Sequence, residues 1–136
     1  MSKPEVLIFA PRDEPPELLK PLEDAGITLT RGNKDWQWVK RPENEDEMSA
    51  AARDSVGMMG TMVRCSPVSR RVMEGAQRLR IVAKYTVGVD DVDIDAATDL
   101  GILVCHAPTE ANCYGVAETT LTFICLLYTS PSPRDL

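Results

Sequence analysis

The sequence of 136 residues is poor in groups that attack a substrate or shuttle protons. It has one histidine, His106, and four cysteines, Cys65, Cys105, Cys113 and Cys125. No two cysteines form a C-x-x-C pair, and one histidine cannot complete the common zinc sites. The cysteines read as reduced thiols that serve as small buried hydrophobes in a cytoplasmic protein. Nor is there a G-x-G-x-x-G, so no glycine-rich turn cradles a pyrophosphate at a helix start. Arg64 is a better prospect. It follows an apolar run, and a guanidinium suits a carboxylate or phosphate by bidentate geometry. Its plain alternative is a surface arginine.

Composition narrows the partners. Hydrophobic residues make up 43% and charged residues 26%, the balance of a globular chain with a core. The net charge of -6 argues against nucleic acid or an anionic membrane as partner. No apolar run approaches the ~20 residues that span a bilayer.

The elements that would position a site alternate along the chain. Val6–Ala10 is a short, continuously apolar run, the pattern of a strand buried on both faces. A helix is predicted over Glu17–Ala25, opened by Pro15-Pro16, with Pro21 in its first turn and Gly26 closing it. Ile27–Thr30 reads as a strand. Arg31–Pro42 lacks a period and reads as a loop in which Trp36 and Trp38 pack on their own domain. Glu43–Arg53 is a helix with acids at its dipole-favoured end, and Val56–Gly60 a strand. Ser66-Pro67 has the residues of a helix start, with the helix running to Met73. Leu79–Ala83 and Ile102–Cys105 are strands, and between them Asp93 caps a helix over Ile94–Leu100 that Gly101 ends. Such alternation means βαβ units and an open parallel sheet. Ligands of these sheets gather beyond the carboxyl ends of the strands, at 11–14, 60–66, 85–90 and 106–112.

From Leu79 the chain reads LRIVAKYTVGVDDVDIDAATDLGILVCHAPTEANCYGVAETTLTFI. That stretch resembles the D-isomer-specific 2-hydroxyacid dehydrogenases, whose pattern is a strand, R-x-G-x-G-x-D-N-(I/V)-D, a short helix ending in Gly, a strand, then (N/H)-x-P and N-x-x-S-V-A-E. Upstream, VRCSPVSRRVM resembles the loop and helix V-R-S-x-T of the same family, and the first 60 residues match in architecture alone. The resemblance implies a flavodoxin-like α/β domain and hydride transfer between NAD or NADP and a small 2-hydroxy or 2-oxo acid, in a parent enzyme that is a homodimer. It implies that the backbone of Val87 and Gly88 meets the substrate carboxylate near the nicotinamide, where a missing Cβ allows close approach. Asn112 takes the place of an asparagine that hydrogen-bonds substrate, Val116 touches the cofactor, and Arg64 matches an arginine that reaches the anionic end of the substrate. Four positions depart from the pattern: Lys84 stands for Arg, Thr86 for Gly, Asp91 for Asn and Gly115 for Ser.

Plainer roles stand beside these. Asp90 and Asp93 read as turn and cap residues, and Gly88 could be a turn glycine alone. His106 is not expected to be catalytic, because the acid–base histidine of the family lies far downstream.

The resemblance also divides the chain: 1–105 as substrate domain, 106–124 as hinge and first helix of a nucleotide-binding domain, and 125–136 as a non-native tail. CLLYTSPSPRD breaks the apolar pattern and is similar to the translation of a sequencing adapter. A fragment so divided lacks the cofactor cradle and the acid–base pair, and by itself is expected to be inactive. The competing class is a stand-alone flavodoxin-like binding or signalling module such as a receiver, for which Asp13 and Glu14 supply half of the acidic cluster.

Overall fold

The structure is a computed structural model and describes residues 3–11, 15–61 and 65–129. Arg64, like Asp13 and Glu14 of the first loop, lies outside the described residues. Five strands, β1 Glu5–Ile8, β2 Thr28–Arg31, β3 Gly57–Gly60, β4 Ile81–Lys84 and β5 Leu103–Cys105, alternate with helices. The helices are α1 Pro16–Asp24, α2 Asp35–Trp38, α3 Asn44–Ala52, α4 Arg70–Gly75, α5 Ile94–Asp99 and α6 Glu110–Thr129. Every strand pair is parallel, in the order β2-β1-β3-β4-β5. The alternation implied the parallel sheet, and the order is the flavodoxin-like one that the resemblance implied.

Burial explains the apolar runs. Leu7, Ile8, Phe9 and Ala10 are all buried. Successive residues of extended chain point to opposite faces, so four in a row require cover on both. Met48, Met58, Val68, Val72, Met73, Leu79 and Val82 complete the core. Gly60 is needed beside Phe9, since a Cβ there would lie 2.8 Å from the ring. Gly26 and Gly101 have φ of +80° and +67° at the ends of α1 and α5, the left-handed conformation a helix C-terminus favours. Asp93 caps α5 by accepting from the Ala96 amide at 2.8 Å.

Several sequence expectations need correction. Because α1 begins at Pro16, Pro21 lies beyond its first turn. The loop over 31–42 contains α2, which is too short for its period to show. There Asn33 Oδ1 accepts from the Asp35 amide at 3.0 Å and begins the turn. Trp36 is buried, whereas Trp38 is 74% exposed and anchors nothing. The helix expected from Ser66 starts later, at Arg70, and Ser69 caps it by accepting from the Val72 amide. The cause is a bridge between Val68 and Val92 that keeps this stretch extended. The cysteines are free, but none is fully buried, and Cys113 and Cys125 are exposed. None of these corrections touches α6, which runs Glu110–Thr129 with none of its residues buried.

Trp36 is held by Glu47. Its Nε1 donates to the carboxylate at 3.0 Å, with Asn33 and Arg41 each at 3.4 Å. The Trp36 bond foremost, then those of Asn33 and Arg41, hold the Glu47 carboxyl below the usual glutamate value against the opposing effect of burial. A carboxyl so lowered adds stability that is complete above its unfolded value and lost as pH falls through the folded one. The melting-temperature gap between wild type and Glu47→Gln is therefore expected to shrink from about pH 6 to about pH 3. Following the Trp36 indole N–H resonance through the melts reads this directly, and a gap independent of pH would contradict it.

Candidate functional site

β4 and β5 end side by side, with Ala83 in register with Cys105. The loops 85–92 and 106–109 therefore leave the sheet together, at the edge where such folds collect ligands. The first loop is fastened through its carbonyls. Thr86 O accepts from the Ala107 amide at 3.1 Å, and Gly88 O from Thr86 Oγ1 at 3.1 Å. Val87 O lies 2.8 Å from His106 Nδ1. A carbonyl can only accept, so Nδ1 is the protonated nitrogen of that ring.

The amides behave differently. Those of Thr86, Val87 and Gly88 donate to no acceptor among the described residues. Three successive unbonded N–H groups are a ready receptor for an anion. Gly88 does not have a positive φ, so its conformation alone does not demand glycine.

Thr86, Val87 and Gly88 border a hollow of about 320 Å³, lined also by Tyr85, Ala107, Thr109 and Asn112. A second hollow, of about 330 Å³, lies along α6 between Asn112, Gly115, Val116 and Phe123. Asn112 belongs to both, and its carboxamide has no hydrogen-bond partner among the described residues. Val116 is 61% exposed one turn further along. A Cβ on Gly115 would meet nothing within 4 Å, so the loss of a serine there only widens the groove. Of the residues singled out from sequence, Val87, Gly88 and Asn112 meet in one hollow, and Val116 adjoins them. Arg64 lies outside the described residues.

Beneath the loop lies a charge pair. The Lys84 ammonium contacts both oxygens of Asp91 and donates to the Thr61 carbonyl at 2.9 Å. The two side chains are 0% and 6% exposed. Among the described residues no group of three metal-ligating side chains exists, and no helix is long and apolar enough to cross a membrane.

The sequence pattern of the D-isomer specific 2-hydroxyacid dehydrogenase catalytic domain matches residues 6–132. The chain belongs to this family. It is 36% identical over 88 residues to D-3-phosphoglycerate dehydrogenase of Mycobacterium tuberculosis, a match covering 65% of the chain and 16% of that protein. With glyoxylate reductase of Thermofilum pendens it shares 30% identity over 127 residues, covering 91% and 34%. The NAD+-bound 3-phosphoglycerate dehydrogenase of Entamoeba histolytica has the same fold, with a TM-score of 0.67 at 20% identity, covering 93% and 39%. The chain thus spans less than two fifths of each relative. A family match over most of the chain leaves the signalling-module alternative without support.

Within this dehydrogenase domain, sequence reasoning missed the partnership of Lys84 and Asp91. The signal was present: two departures from the family pattern, seven residues apart, carry opposite charges. His106, set aside as a proton donor, holds Val87 in place.

Proposed function

We propose that the whole protein is an oxidoreductase that interconverts a 2-hydroxy acid and its 2-oxo acid with NAD or NADP. The observation that carries this is that Thr86, Val87 and Gly88, whose amides are unbonded among the described residues, line one hollow with Asn112. The amides around Val87 and Gly88 receive the carboxylate, and Asn112 orients the neighbouring oxo or hydroxyl oxygen. Arg64, which follows β3 in sequence, is assigned to the far anionic end. The residues present fit one end of the cofactor: Val87 and Val116 are exposed on either side of Asn112, suited to an apolar ring face. The bound cofactor supplies or accepts the hydride, and the chain's own part is to bind and orient the acid. In this reading 1–105 is the substrate domain and 106–124 the hinge and first helix of the nucleotide-binding domain. The exposed apolar side chains of α6, Val116, Leu121 and Phe123 among them, support a further surface packed against it. That surface is the nucleotide-binding domain, in a parent that pairs as a homodimer, and 125–136 is a tail foreign to it.

The test joins residues 1–124 to the nucleotide-binding domain of the Thermofilum pendens relative and follows NADH and NADPH oxidation with a panel of 2-oxo acids. The unjoined chain serves as the blank. Arg64→Ala is expected to raise KM for the acid, with a loss of roughly 1.5–3 kcal/mol, the range for a hydrogen bond to a charged group. Asn112→Ala is expected to lower kcat more than it raises KM, because it removes an interaction at the reacting carbon. Cofactor KM stays nearly constant in both. Wild-type kcat/KM in both variants would show that these residues lie outside the site.

A further inference from the structure

We infer that Lys84 is a positioning residue for the substrate site, an ammonium that closes the 85–91 loop from below and ties it to the end of β3. The inference rests on the reading of the 86–88 amides as the anion receptor, and goes beyond it in naming what holds them there.

Lys84 is the last residue of β4, immediately before the loop, and Asp91 lies where the loop returns. Their contact therefore closes the loop at its base. A third Lys84 bond reaches Thr61 O, immediately after β3. The backbone adds to the same knot, since Asp91 O accepts from the Val68 amide at 2.8 Å. One cation thus joins the base of the 85–91 loop to the residue that follows β3. With its side chain wholly buried, its three N–H groups are matched to two carboxylate oxygens and one carbonyl. The ring centroid of Phe9, beyond the end of β1, lies 5.7 Å away and adds a cation–π contact.

A buried ion pair is weak evidence of a purely stabilising role, because well-packed apolar residues often replace such a pair without loss. What an apolar pair cannot do is hold the Thr61 carbonyl and the loop base in one geometry. A displacement of about 1 Å in groups that orient a substrate costs up to roughly a hundredfold in rate, so a tie at this point matters for the site more than for the fold.

The experiment compares three forms of this chain: wild type, the apolar pair Lys84→Met/Asp91→Leu, and the swapped pair Lys84→Arg/Asp91→Asn. Oxalate is the probe, titrated against the assigned amide resonances. Hydrogen exchange is followed at Ala107, whose acceptor is Thr86 O, and at Val92, whose acceptor is Val89 O. The apolar pair is expected to keep its melting temperature within a few degrees, yet to bind oxalate on the order of tenfold more weakly. Its Ala107 and Val92 amides are expected to exchange about tenfold faster than in wild type. The swapped pair, which restores a buried cation and a polar partner, is expected to recover both. Wild-type oxalate affinity and exchange in the apolar pair would overturn the inference, as would failure of the swapped pair to recover either. If wild type itself does not respond to oxalate, the anion-receptor reading falls. The tie is then judged on exchange, and unchanged exchange in the apolar pair overturns it too.

Discussion

Phe9→Ala is expected to cost about 3–5 kcal/mol of unfolding free energy, the range for removing a fully buried aromatic ring. Phe9 is wholly buried and extends the run that lies against both faces of the sheet. Its ring fills the space that Gly60 leaves. A domain of this size has about 5–15 kcal/mol in all, so the variant stands near the edge of folding at room temperature. Urea denaturation followed by circular dichroism measures this as a lower midpoint with an unchanged slope. A companion variant sharpens the reading. Gly60→Ala sets a Cβ 2.8 Å from the ring and 3.1 Å from the Ala10 amide nitrogen, an overpacking worth about 1–3 kcal/mol. Removing the ring relieves the first of these contacts, so the double variant is expected to lose less than the two single losses added together. A Phe9→Ala loss under about 1 kcal/mol, typical of a surface position, would contradict the packing described.

The second large effect is expected at Asp91. Asp91→Ala leaves the Lys84 ammonium buried without its carboxylate, a situation that costs about 3–5 kcal/mol. Asp91→Asn retains a hydrogen-bond acceptor and is expected to lose clearly less. Arg70 with Asp99 provides the contrast. That pair is 2.7 Å apart but its side chains are 43% and 64% exposed, and solvent screening holds such a pair to about 0–1 kcal/mol. Thermal melts of Asp91→Ala, Asp91→Asn and Asp99→Ala rank the three. Equal shifts for Asp91→Ala and Asp99→Ala would show that Lys84 is not sealed from water.

Which parts of this were legible beforehand follows from the range of the forces involved. Strands covered on both faces write themselves as unbroken apolar runs, so β1, β3 and β4 could be placed within a residue or two, and β5, though at the sheet edge, carries such a run as well. Gly26, Gly101 and Asp93 act on their own helix ends and were equally readable. The start of α4 was not, because Ser66-Pro67 carries the local signature of a helix start and is overruled by pairing between Val68 and Val92, far apart in sequence. α2 was hidden for a different reason: a single turn shows no period, and what fixes it is Trp36 donating to Glu47 eleven residues on. The site divides the same way. Val87, Gly88 and Asn112 were singled out through the motif that contains them, and the meeting of the β4 and β5 ends explains why they line one hollow. The Lys84–Asp91 pair, by contrast, needed the loop to be closed before two separate departures could be seen as one contact.

The most direct measurement of the central claim is an amide titration of the unmodified chain. Glyoxylate is added to 15N-labelled protein, with acetaldehyde, which lacks the carboxylate, as control. The amides of Thr86, Val87 and Gly88 and the Asn112 side chain are expected to shift together and saturably with glyoxylate, and to stay still with acetaldehyde. Shifts confined to other residues, or the same response to acetaldehyde, would contradict the placing of a substrate carboxylate on this loop.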